Sequence, residues 1–250
     1  MISAGGLAGL FAVFHASEFR HERGRLLMAV SITLAFALLA WLARGVTASG
    51  AMAGAVIAFL MASRDLRMFW MLLVVFAVTL AVTRLRGPQK KQLQVAESEN
   101  GRSASQVMAN LGIVGLIMAI PAFGAWRILA LAALAEASAD TTSSEIGTAF
   151  PGRTVLISTW RAVSPGIDGG VSMNGTVSAF FAAGIVAASG VLLGLATTVE
   201  AVTVACAGTV GMLADSLLGA TLERRGHLNN DLVNLLGTSS AVLIAWLLTR

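Results

Sequence analysis

The segment ADTTSSEIG (139–147) ends an apolar stretch with two carboxylates, Asp140 and Glu145, around the hydroxyls of Thr141, Thr142, Ser143 and Ser144. Carboxylate and hydroxyl oxygens are hard donors, the kind that hold Mg²⁺ together with substrate phosphates. In a helix, Asp140 and Ser144 share one face at i,i+4, while Glu145 falls about 140° further round. In a turn or unwound segment, Asp140 and Glu145 converge. Two roles are open to the run: a metal site, or a capping sequence at the start of a short helix.

A glycine-rich segment follows, SPGIDGGVSMNGT (164–176). Gly166, Gly169, Gly170 and Gly175 let backbone N–H groups turn toward an anion, and Ser172 and Thr176 add hydroxyl donors. A helix beginning near 174–176 would aim its positive end at the same place, which favours phosphate. Arg153 and Arg161 flank the segment, either as bidentate phosphate clamps or as interfacial anchors. The glycines serve equally well for turns and helix packing.

Asp215 sits within GTVGMLADSLLGA (208–220), flanked by apolar and small residues. A carboxylate at the centre of a spanning helix costs about 2.5–3.5 kcal/mol on insertion scales, so it calls for a ligand or a route to the headgroups. Asn110 lies one turn inside an apolar segment. HLNNDLVNLLGT (227–238) puts Asn230 and Asn234 on one helix face, with Asn230 or Asp231 also suited to cap that helix. Glu136 and Glu200 read as ordinary carboxylates, at a helix end and in a loop.

These groups must be positioned by elements that live in a bilayer. The chain has 250 residues, 56% hydrophobic and only 12% charged, with mean hydropathy +0.81. Soluble domains carry about 25% charge, so half of that cannot cover a water-facing surface. A spanning helix needs ~20 apolar residues, and spans are expected at 26–43, 46–63, 67–83, 107–138, 176–197, 199–219 and 232–249. The 107–138 stretch is long for one crossing and contains Pro121, which kinks it or splits it in two. Trp41, Trp70 and Trp246 lie near span ends, at interfacial depth, whereas Trp126 falls inside the long stretch. The expected fold is all-α: one polytopic membrane bundle of six to eight helices, multi-pass, in the plasma membrane if the source is prokaryotic. Basic residues divide too evenly between alternate loops to set the orientation.

Several functions are excluded. There is no GxxxxGK[ST] and the only lysines are Lys90 and Lys91, which removes a soluble P-loop kinase. His15, His21 and His227 are scattered and Cys206 is alone, which removes a zinc site and an intrachain disulfide. No GxSxG elbow is present. The sequence pI of about 10.5 comes from charges flanking apolar segments, which suits anionic headgroups rather than nucleic acid. The first 17 residues are apolar without a basic start, more like part of a helix than a signal peptide.

In this order, SGAMAGAV (49–56), QVMANLG (106–112), ADTTSSEIG, SPGxDGGVSxxGT, GMLADSLLGAT and NNDLVNLLG resemble the integral-membrane family that includes plant phytyl-phosphate kinase and animal transmembrane protein nineteen. The likeness covers about residues 45–249. It implies a membrane kinase that converts an isoprenoid monophosphate to the diphosphate, with CTP as donor and Mg²⁺ as cofactor. Asp140, Glu145 and Asp215 would hold the metal. Gly166, Gly169, Gly170, Ser172, Thr176 and Ser144, with Arg153 or Arg161, would cradle phosphate, while Asn110, Asn230 and Asn234 orient ligands. The isoprenoid tail is expected between helices carrying Gly184, Gly190, Gly194, Gly208 and Gly211. The sequence departs from the family pattern at Asp168, where a small hydroxyl residue is expected. Buried carboxylates equally suit the alternative of a transporter or flippase for a phosphorylated lipid or ion.

Overall fold

The computed structural model describes residues 4–85, 101–120, 124–150 and 152–250, with side chains from residue 22 onward. Eight α-helices make up the described bundle: α1 (Ala4–Leu42), α2 (Ala48–Arg64), α3 (Leu66–Arg84), α4 (Ala104–Ala119), α5 (Trp126–Ala149), α6 (Met173–Leu192), α7 (Thr198–Leu218) and α8 (Asn230–Leu248). A π-helical turn, Gly219–Glu223, extends α7. Five helical stretches have the length and apolarity to cross a bilayer: Glu22–Leu42, Leu66–Arg84, Met173–Leu192, Thr198–Glu223 and Asn230–Leu248. At 17 and 16 residues, α2 and α4 are shorter, about 25 Å at 1.5 Å per residue.

The 107–138 stretch is two helices, α4 and α5, and the break falls at 120–125; Pro121 itself lies outside the described residues. Trp126 thereby becomes the first residue of α5. This helix is the axis of the bundle. Every residue from Ile128 to Ala139 is buried, as expected of a helix apolar on all sides, and α3, α4, α6, α7 and α8 pack around it.

Local sequence explains where helices begin. Thr47, Asp65, Ser103, Ser172, Thr197 and Asn229 each accept a backbone N–H in the first turn of the helix they precede, as N-caps do. Glu200, expected in a loop, completes a capping box with Thr197 at the start of α7. The cap of α8 is Asn229, so Asn230 and Asp231 fall inside the first turn.

An element absent from the all-α expectation is a short antiparallel hairpin, β1 (Thr154–Leu156) with β2 (Gly170–Ser172), pairing Thr154 with Ser172 and Leu156 with Gly170. Its second strand runs directly into α6, where Ser172 serves as cap. The hairpin ties the glycine-rich segment to the end of α5.

At one end of the bundle, the C-terminus of α2 and the N-terminus of α3 are stapled to neighbouring helices. Arg64 donates to the carbonyls of Ile117, Met118 and Ile120 at the end of α4 and stands 4.3 Å over the Trp126 ring. Asp65 pairs with Arg67 at 2.8 Å and with Arg127 at 3.6 Å. Arg67 also reaches the carbonyl of Gly194 after α6. The functional candidates gather at the opposite end.

Candidate functional site

The Ser/Thr run after Asp140 does not unwind, and three of its hydroxyls bond back to carbonyls of the preceding turn. Thr141 Oγ1 donates to the Ala137 carbonyl at 2.9 Å, Ser144 to Thr141 at 3.1 Å and Thr148 to Ser144 at 2.8 Å. Such back-bonding is compatible with a helix interior, and α5 continues to Ala149. The run is therefore the last third of a long helix, neither an unwound loop nor the cap of a short one. Its polar side chains open into a cavity of about 400 Å³.

Asp140, Ser144 and Glu145 line this cavity from α5, Asn110 from α4, Asp215 from α7, and Asn230 and Asn234 from α8. Gly166, Gly169, Gly170 and Ser172 close it from the hairpin loop. Sequence positions more than 120 apart thus meet at one end of the bundle. The N-termini of α4, α6 and α8 all reach it, supplying partial positive charge. Gly169 has φ +71°, and a Cβ there would lie 2.3 Å from the Ala220 nitrogen, so the loop presses on the π turn in a way only glycine permits.

Three residues expected at the site are not among those lining the cavity. Arg153 and Arg161 are exposed, and Thr176 is half-buried on α6. The guanidinium that does line it belongs to Arg102, which donates to Thr141 Oγ1 at 3.1 Å. Arg102 directly precedes Ser103, the cap of α4, and its reach across to α5 has no spacing signature. Gln106, Ser143, Thr148, Thr154, Ser216 and Glu223 also line the cavity. Asp168, the departure from the family pattern, does so too.

Glu136 is not at a helix end. It lies in the middle of α5 with 1% exposure, and its Oε1 has no hydrogen-bond partner. The signal was available, since a carboxylate within an otherwise apolar helix needs a reason. Asp215 is 8% exposed and its Oδ2 is likewise without a partner.

Among the described residues, Asp140, Glu145, Asp168, Asp215 and Glu223 all line the cavity, against one guanidinium, that of Arg102. Among the described residues, no three His, Cys, Asp or Glu side chains stand close enough to hold a metal between them alone.

Comparison with known proteins agrees with this placement in a membrane. The model of the integral membrane protein family DUF92 matches residues 31–242. The chain belongs to that family. It is 37% identical over 172 residues to an uncharacterized membrane protein of Methanocaldococcus jannaschii, covering 67% of this chain and 70% of that one. Protein VTE6, chloroplastic, of Arabidopsis thaliana is 30% identical over 194 residues, 73% of this chain and 58% of that protein. An uncharacterized membrane protein of Synechocystis is 32% identical over 187 residues, 72% of each chain. No solved structure matches. As a DUF92 member, the chain is an integral membrane protein with several apolar helices.

Proposed function

We propose that this protein is a membrane-embedded kinase that transfers the terminal phosphoryl group of a nucleoside triphosphate, CTP, to an isoprenoid (phytyl-like) monophosphate. The observation that carries the reading is the polar cavity itself: carboxylates, hydroxyls, amides and a glycine strap converging at the edge of a membrane bundle. The motif resemblance to the family of plant phytyl-phosphate kinase supplies the substrate class.

An oxygen of the acceptor phosphate attacks the γ-phosphorus. The β–γ bridging P–O bond breaks, and CDP leaves with the isoprenoid diphosphate as product. A phosphate monoester has its second pKa near ~6, so the acceptor is already an anion at neutral pH and needs no general base. Among the described residues no His or Lys lines the cavity. Positioning and charge neutralisation supply most of the catalysis in phosphoryl transfer.

The donor set fits Mg²⁺. A cavity with five carboxylates would repel bare phosphates, and the partnerless Asp215 Oδ2 is a buried hard donor. Magnesium is commonly held by one or two carboxylates, with substrate phosphates and water completing the shell. Asp140 and Asp215 would hold it together with substrate phosphates, Glu145 lining the same cavity beside them, and when bound it would neutralise phosphate charge. Arg102 adds positive charge at the wall, the glycines of the strap from Gly166 to Ser172 would let phosphate approach the backbone closely, and Asn110, Asn230 and Asn234 would orient the ligands.

The test is purified protein in detergent with γ-labelled CTP and phytyl monophosphate. Labelled phytyl diphosphate is expected. Absence of product with CTP, ATP, GTP and UTP would overturn the reading, and uptake of the lipid phosphate into proteoliposomes without nucleotide consumption would replace it with transport.

A further inference from the structure

The polar cavity shares a wall with a second cavity of opposite character. This one, about 490 Å³, lies between α1, α2, α3 and α4, with Phe36, Gly54, Leu72, Val75 and Phe76 among its walls. Along α3 its lining runs from Leu72 to Thr83, about 16 Å at 1.5 Å per residue. That is close to half of a ~30 Å hydrocarbon layer, the depth of one leaflet. Arg44, Arg84 and Arg102 stand at its shallow end. Arg102, Gln106 and Asn110 line both cavities.

The glycines of α6 and α7 do not provide the same space. A Cβ at Gly208 would lie 2.7 Å from Ala135 Cβ, and one at Gly211 would lie 2.8 Å from Ala241 Cβ. They are consumed by close helix packing, while Gly184 has nothing within 4 Å and faces outward.

We propose that the cavity between α1, α2, α3 and α4 binds the hydrocarbon chain of a single-chain lipid phosphate, with Arg102 at the junction where its phosphate enters the polar cavity. An apolar slot one leaflet deep, capped by guanidiniums and opening onto the carboxylates, matches an amphiphile with one tail and an anionic head. The bilayer already shelters the chain from water, so the slot acts by shape: its packing and finite depth select one chain of limited length while the chemistry proceeds at the other end. The assignment rests on the kinase reading for what happens to the head, not for where the tail lies.

Gly54 gives access to a test. A Cβ there meets only Val107 Cγ1, at 3.9 Å, so a larger side chain grows into the cavity. Full-length protein in nanodiscs is irradiated with a twenty-carbon isoprenoid monophosphate bearing a diazirine at its tail end, and labelled peptides are identified. Labelling on α2 and α3 is expected, falling about tenfold in Gly54→Leu and unchanged in Gly184→Leu. Thr79→Phe fills the same space from α3, so a folding defect in one variant leaves the other to decide. Labelling on α6, α7 or α8, or labelling indifferent to both fillers, would overturn the proposal. Correct labelling without nucleotide-dependent product supports the tail site while removing the kinase reading; product formation with the label elsewhere does the reverse.

Discussion

Glu136 on α5 and Asp215 on α7 turn their carboxyl groups onto the same point of α8, the backbone at Gly237. A Cβ at Gly237 would lie 2.6 Å from Glu136 Oε1 and 3.0 Å from Asp215 Oδ2. Both oxygens are buried without a hydrogen-bond partner. Asp140 follows Glu136 by one helical turn, so the acids of α5 lead from the bundle interior to the cavity.

Gly237→Ala therefore strikes the site from behind. The added methyl has no room, and overpacking costs about 1–3 kcal/mol. Lower thermal stability and a loss of activity larger than the stability change explains are expected, because Asp215 is displaced. Thermal melts in detergent, measured alongside turnover, check both. Unchanged activity would mean that the position of Asp215 is not critical.

Arg102→Ala should lower kcat/KM by about 10–100-fold, the loss of one hydrogen bond to a charged group. Arg153→Ala and Arg161→Ala, altering exposed side chains outside the cavity lining, should stay near wild type. Steady-state kinetics on the three variants decide which guanidinium meets phosphate. A large effect at Arg153 or Arg161 would return the clamp to the hairpin.

Metal removal should abolish turnover without unfolding the bundle. The helices are held by packing around α5, and the cavity is at one end. Chelation by EDTA is expected to remove activity and leave the thermal transition in place, with Mg²⁺ restoring turnover. Full activity in EDTA would contradict a metal-dependent site.

Much of this was legible in the sequence. Apolar runs placed the spans because bilayer thickness fixes the length of a crossing, and Asp140, Glu145, Asp215, Asn110 and the glycine strap stood out against so little charge. What escaped depended on three-dimensional reach. Arg102, the residue before the α4 cap, touches α5 at Thr141, 39 residues downstream, and Thr141 to Thr148 remain helical with several hydroxyls bonded back to carbonyls. The hairpin of Thr154 with Ser172 joins short segments that carry no alternating pattern. The α6 and α7 glycines suggested a tail slot, but small residues serve close packing as readily as open space.

Asp65, at the opposite end from the cavity, offers a stability test that should not touch activity. Burial alone would raise its pKa, but hydrogen bonds from the Arg67 side chain and backbone, with the charges of Arg67 and Arg127, hold it below the ordinary value. A folded pKa below the unfolded one means its contribution is complete above the unfolded value, about 3.9, and is lost as pH falls through the depressed value. Asp65→Ala also removes the α3 cap, worth about 1 kcal/mol. Lower thermal stability near neutral pH, a difference from wild type that shrinks in strong acid, and wild-type turnover are expected. Melts across a pH series check the first two.

The central claim is that Asp140 and Asp215 hold the cation for phosphoryl transfer. The most direct measurement is the initial rate of labelled isoprenoid diphosphate formation by wild type, Asp140→Asn and Asp215→Asn in nanodiscs, with Mg²⁺ and CTP. Product from wild type and a fall of at least about a hundredfold in each folded variant is expected. Wild-type rates in either variant would contradict the assignment.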